Sequence, residues 1–427
     1  MLKRTLSYSL LALCGAGLSM AWTPQLLAWH LFEGLIFSFF ILWTLAWSVG
    51  RVEARWSWLL LPLLAICGWG ALQLHMGWSV YAFATESDTV RWGAYFAIFF
   101  LAFQLFEEAR SAELFRRALT VYALALAVVS VLQYFLGNGK IYWLFESAES
   151  AGLGPFLNRD HYASFIALAL PAAAVEMLRH PRQRWFFALT VAVLYASVIA
   201  GASRAGFVLL TVELLVLFVL LRFSGRTLLA VAALSVAFGF VVGWESLYER
   251  LRIPDPYAGR QEVALATVQM LRANPWKGSG LGTWTNVYPA YAPKDFGVFI
   301  NAAHNDWLQW GAEGGIPMLA CLFLLFGASV SLVRKVPWVL GVPIVFFHCL
   351  VEFPMQGRFL PAIVFLVLGV ATRSVVTEGI KSAGRSACRP HCHVGIRPGE
   401  LLPHLPSSWG FSGYRRVTLP MQSRLRS

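Results

Sequence analysis

The sequence predicts an all-α protein that crosses a membrane about twelve times, with one long loop between the ninth and tenth helices. Two observations on composition and one on charge order carry that expectation. Hydrophobic residues make up 58% of the 427-residue chain and charged residues only 13%, whereas a soluble domain carries roughly 25% charge. Apolar runs of about 17 to 25 residues, each long enough for a ~30 Å hydrocarbon core, recur from one end to the other between short charged segments. Lysine and arginine gather in alternate connections, the pattern of a chain that keeps its positive loops on the cytoplasmic side.

Taken in order, the first run is Leu6 to Thr23, behind Lys3-Arg4. A secretory signal starts in the same way, but no small-residue cleavage site closes this one. Leu11-Ala12-Leu13-Cys14 also lacks the small residue that a lipoprotein cysteine needs before it, so the run reads as the first transmembrane helix. The remaining spans are Leu26 to Val49, Trp56 to His75, Trp92 to Phe106, Ala118 to Leu136 and His161 to Leu178. They continue with Trp185 to Ala202, Ala205 to Leu221, Thr227 to Trp244, Asp306 to Val333, Trp338 to Glu352 and Phe359 to Thr372. With the N-terminus inside, the inner segments hold Lys3, Arg4, Arg51, Arg55, Arg110, Arg116, Arg117, Arg179, Arg182, Arg184, Arg222, Arg226, Arg334 and Lys335. The short outer loops hold Arg91, Lys140, Arg159, Arg204 and Arg358 alone. Both termini are therefore expected in the cytoplasm and the functional face on the outer side of the membrane.

Three regions follow: helices one to five over 1–157, a second transmembrane region over 158–372 that includes the outer loop 245–304, and a tail over 373–427. The tail carries nine Lys or Arg against Glu378 and Glu400, a net +7 of the total +12. It is rich in Pro, Gly and Ser, so it is expected to be disordered and to rest on anionic headgroups. Its Cys388, His391, Cys392 and His393 match no standard zinc spacing. Cys14, Cys67, Cys321 and Cys349 lie in apolar runs as small hydrophobes, so no disulfide framework and no metal site is expected. Nothing in the chain calls for a nucleic-acid partner or a cofactor: dinucleotide fingerprint, P-loop and nucleophile elbow are all missing from the sequence.

Ionisable residues within or at the ends of membrane helices are costly and mark sites, and here they converge on the outer side. Asn158-Arg159-Asp160-His161 opens the sixth span, and Ser203-Arg204 fills the tight turn between the seventh and eighth. Arg252, Arg260 and Arg272 lie in the long loop, His304-Asn305-Asp306 opens the tenth span, and His348 and Glu352 close the eleventh. Arg204 has two readings, a snorkelling arginine at the headgroups or a forked donor for a substrate phosphate. Asn305, Gln309 and Glu313 recur at i+4 and form a polar stripe that must face the bundle interior. His304 sits at the mouth of that stripe; an imidazole there suits a general base, and a helix-capping histidine is the other reading. In the long loop, Gln261 to Arg272 has the spacing of an amphipathic helix on the membrane surface. Asn274 to Trp284 is glycine-rich, either an anion-binding nest or a tight re-entry of the loop against the bundle.

Ala303-His304-Asn305-Asp306-Trp307-Leu308-Gln309, followed by Glu313-Gly314-Gly315-Ile316-Pro317, resembles the signature of the O-antigen ligase and polymerase superfamily. Asn158-Arg159-Asp160-His161, Ser203-Arg204-Ala205-Gly206, the run from Arg260 to Gly282, and His348 with Glu352-Phe353-Pro354 resemble further motifs of that family in the same order. Glu352 stands where the family usually has Asp. The likeness spans Asn158 to Arg358. It implies an integral membrane glycosyltransferase that moves a glycan from undecaprenyl diphosphate to an acceptor hydroxyl on the periplasmic side, without a nucleotide sugar, metal or other cofactor. The acceptor would be lipid A-core for a ligase, a second carrier-linked glycan for a polymerase, or a protein. The resemblance also implies roles: Arg204 and Arg260 hold the diphosphate, and His304 activates the acceptor. Asn158, Arg159 and His161 would line the substrate cavity, Asn305 and Glu313 would orient His304 or the acceptor, Arg272 is a further candidate for the phosphate, and His348 completes the substrate-binding set. A flippase that moves the carrier-linked glycan without forming a bond is the alternative, since twelve spans with both ends inside is also a transporter layout.

Overall fold

The computed structural model describes residues 2–146, 152–253, 259–295 and 297–387, and almost all of them are helical. In order the helices are α1 (Leu2–Ser19), α2 (Leu26–Ser48), α3 (Leu60–His75), α4 (Ala82–Leu105), α5 (Ala109–Leu136), α6 (Arg159–Arg179), α7 (Arg184–Ala200) and α8 (Arg204–Leu221). They continue with α9 (Gly225–Val241), α10 (Glu245–Leu251), α11 (Arg260–Ala273), α12 (Trp284–Val287), α13 (Asp306–Val333), α14 (Gly341–His348) and α15 (Phe359–Ala387). A small antiparallel hairpin, β1 (Lys140–Ile141) with β2 (Phe145–Glu146), follows α5. Contacts divide the chain into Met1–Ser382 and Ala383–Ser427, and the bundle and the site belong to the first unit.

The centre of the bundle is α6. Its residues are buried without interruption from Tyr162 to Met177, the mark of a helix surrounded on all sides. Helices α5, α7, α8 and α14 pack against it. Outward-facing helices expose large apolar side chains, among them Leu31, Leu42, Val219 and Phe240, as lipid contact requires. Among the described residues seven helices are long and apolar enough to cross a membrane, or eight if α9 and α10, bent by 92°, make one broken span. The chain is thus an all-α, multi-pass membrane protein.

Each of the twelve predicted spans meets a helix, but several bounds differ, and the reasons are physical. α4 begins at Ala82, ahead of the expected Trp92, because Asp88 and Arg91 pair inside the helix. That neutralisation lets charged residues lie where a hydropathy window sees a loop, so Arg91 is a helix residue and no part of an outer connection. α5 likewise starts at Ala109, since Arg116 is bound by Glu176 of α6 at 2.8 Å. α3 starts at Leu60, after Trp56. α3 and the Pro337–His348 stretch are shorter than a full span. α14 stops at His348, so Glu352 sits in an irregular loop and not in a helix. α15 continues past Thr372 to Ala387, so the tail is helical at its start; Cys388, His391, Cys392 and His393 lie outside the described residues.

The amphipathic piece of the long loop does form a helix, α11, but its apolar face does not meet lipid. Val263, Ala266 and Met270 pack with Trp284, Tyr288, Ala303 and Ala312 into a separate small core over α13.

Candidate active site

The start of α13 holds His304 in a built geometry. Asn305 caps the helix, its Oδ1 accepting from the Leu308 N–H at 3.0 Å while its Nδ2 donates to the Leu350 carbonyl at 2.8 Å. The Ala303 N–H donates to Gln309 Oε1 at 3.0 Å, and Gln309 Nε2 donates to Glu313 Oε1 at 3.4 Å. Between these anchors His304 adopts φ of +51°, a left-handed conformation that costs an L-residue roughly 1–2 kcal/mol. The polar stripe predicted on this helix therefore points inward and braces the histidine. Asp306 does the same for the loop that follows α14. Its carboxylate accepts from the Met355 N–H at 3.0 Å and from Gln356 Nε2 at 2.6 Å, and Arg91 Nη1 donates to the Gln356 carbonyl at 2.8 Å.

That loop delivers Glu352, which is only 2% exposed. Its Oε1 pairs with Arg260 Nη2 at 2.5 Å and its Oε2 meets His304 Nδ1 at 3.3 Å. Burial raises the Glu352 carboxyl, but the His304 hydrogen bond and the charges of Arg260, His304 and His161 outweigh it and leave the group below its ordinary value. Glu352 therefore stays ionised, ties two predicted catalytic residues together, and engages the Nδ1 side of the His304 ring. Phe353 lies between His304 and His161, edge-on to both with ring centroids 4.9 Å apart in each case.

A second group arrives from α6, α8 and α10. Asn158 caps α6, accepting from the Asp160 N–H at 2.8 Å. Asp160 accepts from Ser203 Oγ at 2.5 Å, and Ser203 in turn caps α8 at the Gly206 N–H, 3.0 Å away. Helices α6 and α8 approach so closely here that a Cβ on Gly206 would lie 2.4 Å from that of Ala163. His348 is buried behind them, with Nδ1 2.8 Å from Ser164 Oγ and Nε2 4.0 Å from Asp160 Oδ1. Arg204 Nη1 donates to the Arg250 carbonyl at 3.2 Å and Arg159 Nη1 to the Gly201 carbonyl at 3.5 Å. The charges of Arg159, Arg204 and Arg260 all act on the Arg250 guanidinium. Arg159, Arg204 and Arg260 thus group around Arg250, and Arg260 joins that group to the Glu352 and His304 pair, an arrangement suited to an oxyanion-rich ligand.

Not every expected residue joins. Arg272 is exposed at the far end of α11 from Arg260, ~18 Å away at 1.5 Å per residue. Glu313 accepts from the Trp284 N–H at 3.0 Å and reaches His304 only through Gln309 and Ala303. The glycine-rich segment is a tight re-entry and not a nest, because its N–H groups are already used. Ser279 and Gly280 donate to the Ala312 and Glu313 carbonyls, each at 3.0 Å, and Leu281 donates to Gln73 Oε1 at 3.1 Å. Arg358 pairs with Glu33 at 2.6 Å, away from this group. Asp160 and Phe353 stand in the sequence motifs without a role of their own, and Arg250 stands in none of them; it is one more charge in the long loop, and nothing in its spacing announces its neighbours.

Among the described residues the side chains that could group around a metal ion, Glu113, Glu176 and His180, lie at the other end of α6. Arg116 and Arg117 already bind the Glu176 oxygens at 2.8 and 3.2 Å.

Residues 187–323 match the model of the family described as O-antigen ligase. The match takes in Arg204, Arg250, Arg260, His304 and Glu313, and it leaves Asn158, Arg159, His161, His348 and Glu352 outside. No curated protein matches the chain. The family match supports glycan transfer at a membrane.

Proposed function

From a chain that carries the O-antigen ligase region over residues 187–323, we propose an inverting glycosyltransferase that passes a glycan from undecaprenyl diphosphate to an acceptor hydroxyl at the outer face of the bacterial inner membrane. The observation that carries the reading is Glu352 bridging Arg260 at 2.5 Å and His304 at 3.3 Å, with Arg260 in turn grouped with Arg159, Arg204 and Arg250. With Nδ1 directed at Glu352, His304 takes the acceptor hydroxyl proton on Nε2. The acceptor oxygen forms a bond to the anomeric carbon as the bond from that carbon to the phosphate oxygen breaks, and the diphosphate leaves with both electrons. Attack opposite the leaving group inverts the anomeric centre. Arg204 and Arg260 take up the charge that grows on the departing phosphate, and the proposed step routes no part of that charge through a metal ion. Asn158 and Asn305 act as helix caps that set Asp160 and His304 in place. The acceptor is lipid A-core in the reading we prefer, which makes the protein a ligase of lipopolysaccharide assembly.

Transfer in proteoliposomes tests this, with an undecaprenyl diphosphate-linked oligosaccharide as donor and either lipid A-core or a second carrier-linked glycan as acceptor. Wild type is expected to form a new glycosidic bond, and Arg204→Ala, Arg260→Ala and His304→Ala are each expected to lose at least about 100-fold in rate. Product on the carrier-linked acceptor alone would make the protein a polymerase. Labelled carrier crossing the bilayer with no new bond, equally in all variants, would replace the enzyme with a flippase.

A further inference from the structure

At the end of α6 opposite the candidate active site, ~28 Å along the helix from Asp160, a cavity of about 420 Å³ opens between α5, α6, α15 and the turn Pro337–Val339. Its walls divide by chemistry. Val175, Leu178, Leu221 and Trp338 give an apolar side, and Arg116, Arg179 and Lys335 give a basic one. Arg116 is 3% exposed, its Nε donates to Glu176 at 2.8 Å, and its Nη2 has no hydrogen-bond partner among the described residues. A buried guanidinium N–H without a partner is costly and points to a ligand that supplies an acceptor.

The charge around the cavity favours an anion. Glu107, on the rim, is bound by Lys3 at 2.7 Å and Arg373 at 3.1 Å, and Glu108 lies 3.9 Å from Arg4. Glu176 is shared by Arg116 and Arg117. Arg179 and Lys335 have no carboxylate within 4 Å among the described residues. Each wall acid already has its cations, while two basic side chains and one buried guanidinium N–H do not have theirs.

We propose that this cavity is a binding site for the phosphodiester headgroup of one anionic phospholipid, with the Arg116 guanidinium, Arg179 and Lys335 on the phosphate oxygens and the acyl chains leaving along the apolar wall. A soluble phosphate shares the headgroup chemistry, but the Trp338, Leu178 and Leu221 side gives it nothing to bury. The lipid would join α5, α6 and α15 at a place where Arg116 otherwise has an unmet donor. Basic pockets between membrane helices suit such headgroups.

Native mass spectrometry of the delipidated full-length protein tests the assignment, after it is refilled with phosphatidylglycerol, cardiolipin, phosphatidylethanolamine or inorganic phosphate. The protein is expected to retain one anionic lipid in preference to phosphatidylethanolamine. The exposed pair Arg179→Gln with Lys335→Gln is expected to weaken that retention about tenfold or more while thermal unfolding without lipid stays unchanged. Arg116→Gln serves as a second variant with the same expected loss. Equal retention of phosphatidylethanolamine, or variants that hold anionic lipid as wild type does, would overturn the proposal. Inorganic phosphate that binds at millimolar concentration and displaces the lipid would assign the cavity to a soluble anion instead.

Discussion

At the scale of single residues, Glu352 links the two halves of the proposed site, Arg260 and His304. Its carboxyl is held below the ordinary value by His304 and Arg260 against the opposing effect of burial. A depressed carboxyl contributes stability that is present above its unfolded value, about 4.3 for Glu, and that is lost as pH falls through the folded value. Glu352→Gln is therefore expected to lower the unfolding temperature at pH 6 to 7 and to converge on wild type as pH falls below about 4; thermal scans across that range check it. A constant gap at every pH would mean that packing, and not charge, is what Glu352 supplies. Arg260→Lys keeps the positive charge but loses the fork that reaches both Glu352 and the Val351 carbonyl at 3.4 Å. It is expected to recover less than about a tenth of the wild-type transfer rate, since an ammonium does not match two oxygens at once. Transfer by Arg260→Lys at the wild-type rate would reduce the role of Arg260 to its charge.

At the scale of elements, the loop over 274–284 shows how backbone fit positions a site it does not touch. Gly278 has φ of +65°, and a Cβ there would lie 2.1 Å from the Glu313 carbonyl oxygen. Gly297 has φ of +69° with open space around the same position. Gly297→Ala is thus expected to cost only the left-handed penalty, about 1–2 kcal/mol, and Gly278→Ala distinctly more. Unfolding in detergent separates the two, and equal losses would show that the loop can move off α13. Gly315 in α13 has φ of +68° and breaks the helix, and the Ile316 N–H donates to the Pro275 carbonyl at 2.8 Å. The re-entrant loop is therefore clamped on both sides of Glu313, and through Gln309 it supports the His304 turn.

At the scale of the whole molecule, the four arginines and the ion-pair knot of Arg116, Arg117 and Glu176 occupy opposite ends of α6. The topology expected from charge order would face the first end outside and the second to the cytoplasm. In a chain freed of its native cysteines, a cysteine at Phe299, which is 80% exposed, is expected to react with an impermeant maleimide added to intact spheroplasts. A cysteine at Arg334, just past α13, is expected to react only after the membrane is opened. The reverse pattern would invert the topology and move the proposed site into the cytoplasm.

Composition and periodicity were enough for the all-α membrane class, for a helix at each expected span though not for α10 and α12, and for placing His304, Arg204 and Arg260 at one end of the bundle, because hydropathy and charge act locally along the chain. The His304 motif and the Ser203-Arg204 turn were legible for the same reason: each is a contiguous run at the mouth of a helix. Only the tertiary structure decided that Glu352 binds both Arg260 and His304, that Arg250 joins the arginines, and that Arg272 and the glycine-rich loop stand apart. Those facts depend on which side chains from α6, α8, α10, α13 and the loop after α14 meet across the bundle. Residues far apart in the chain that neutralise one another, as Arg116 and Glu176 do, leave no trace in a local window.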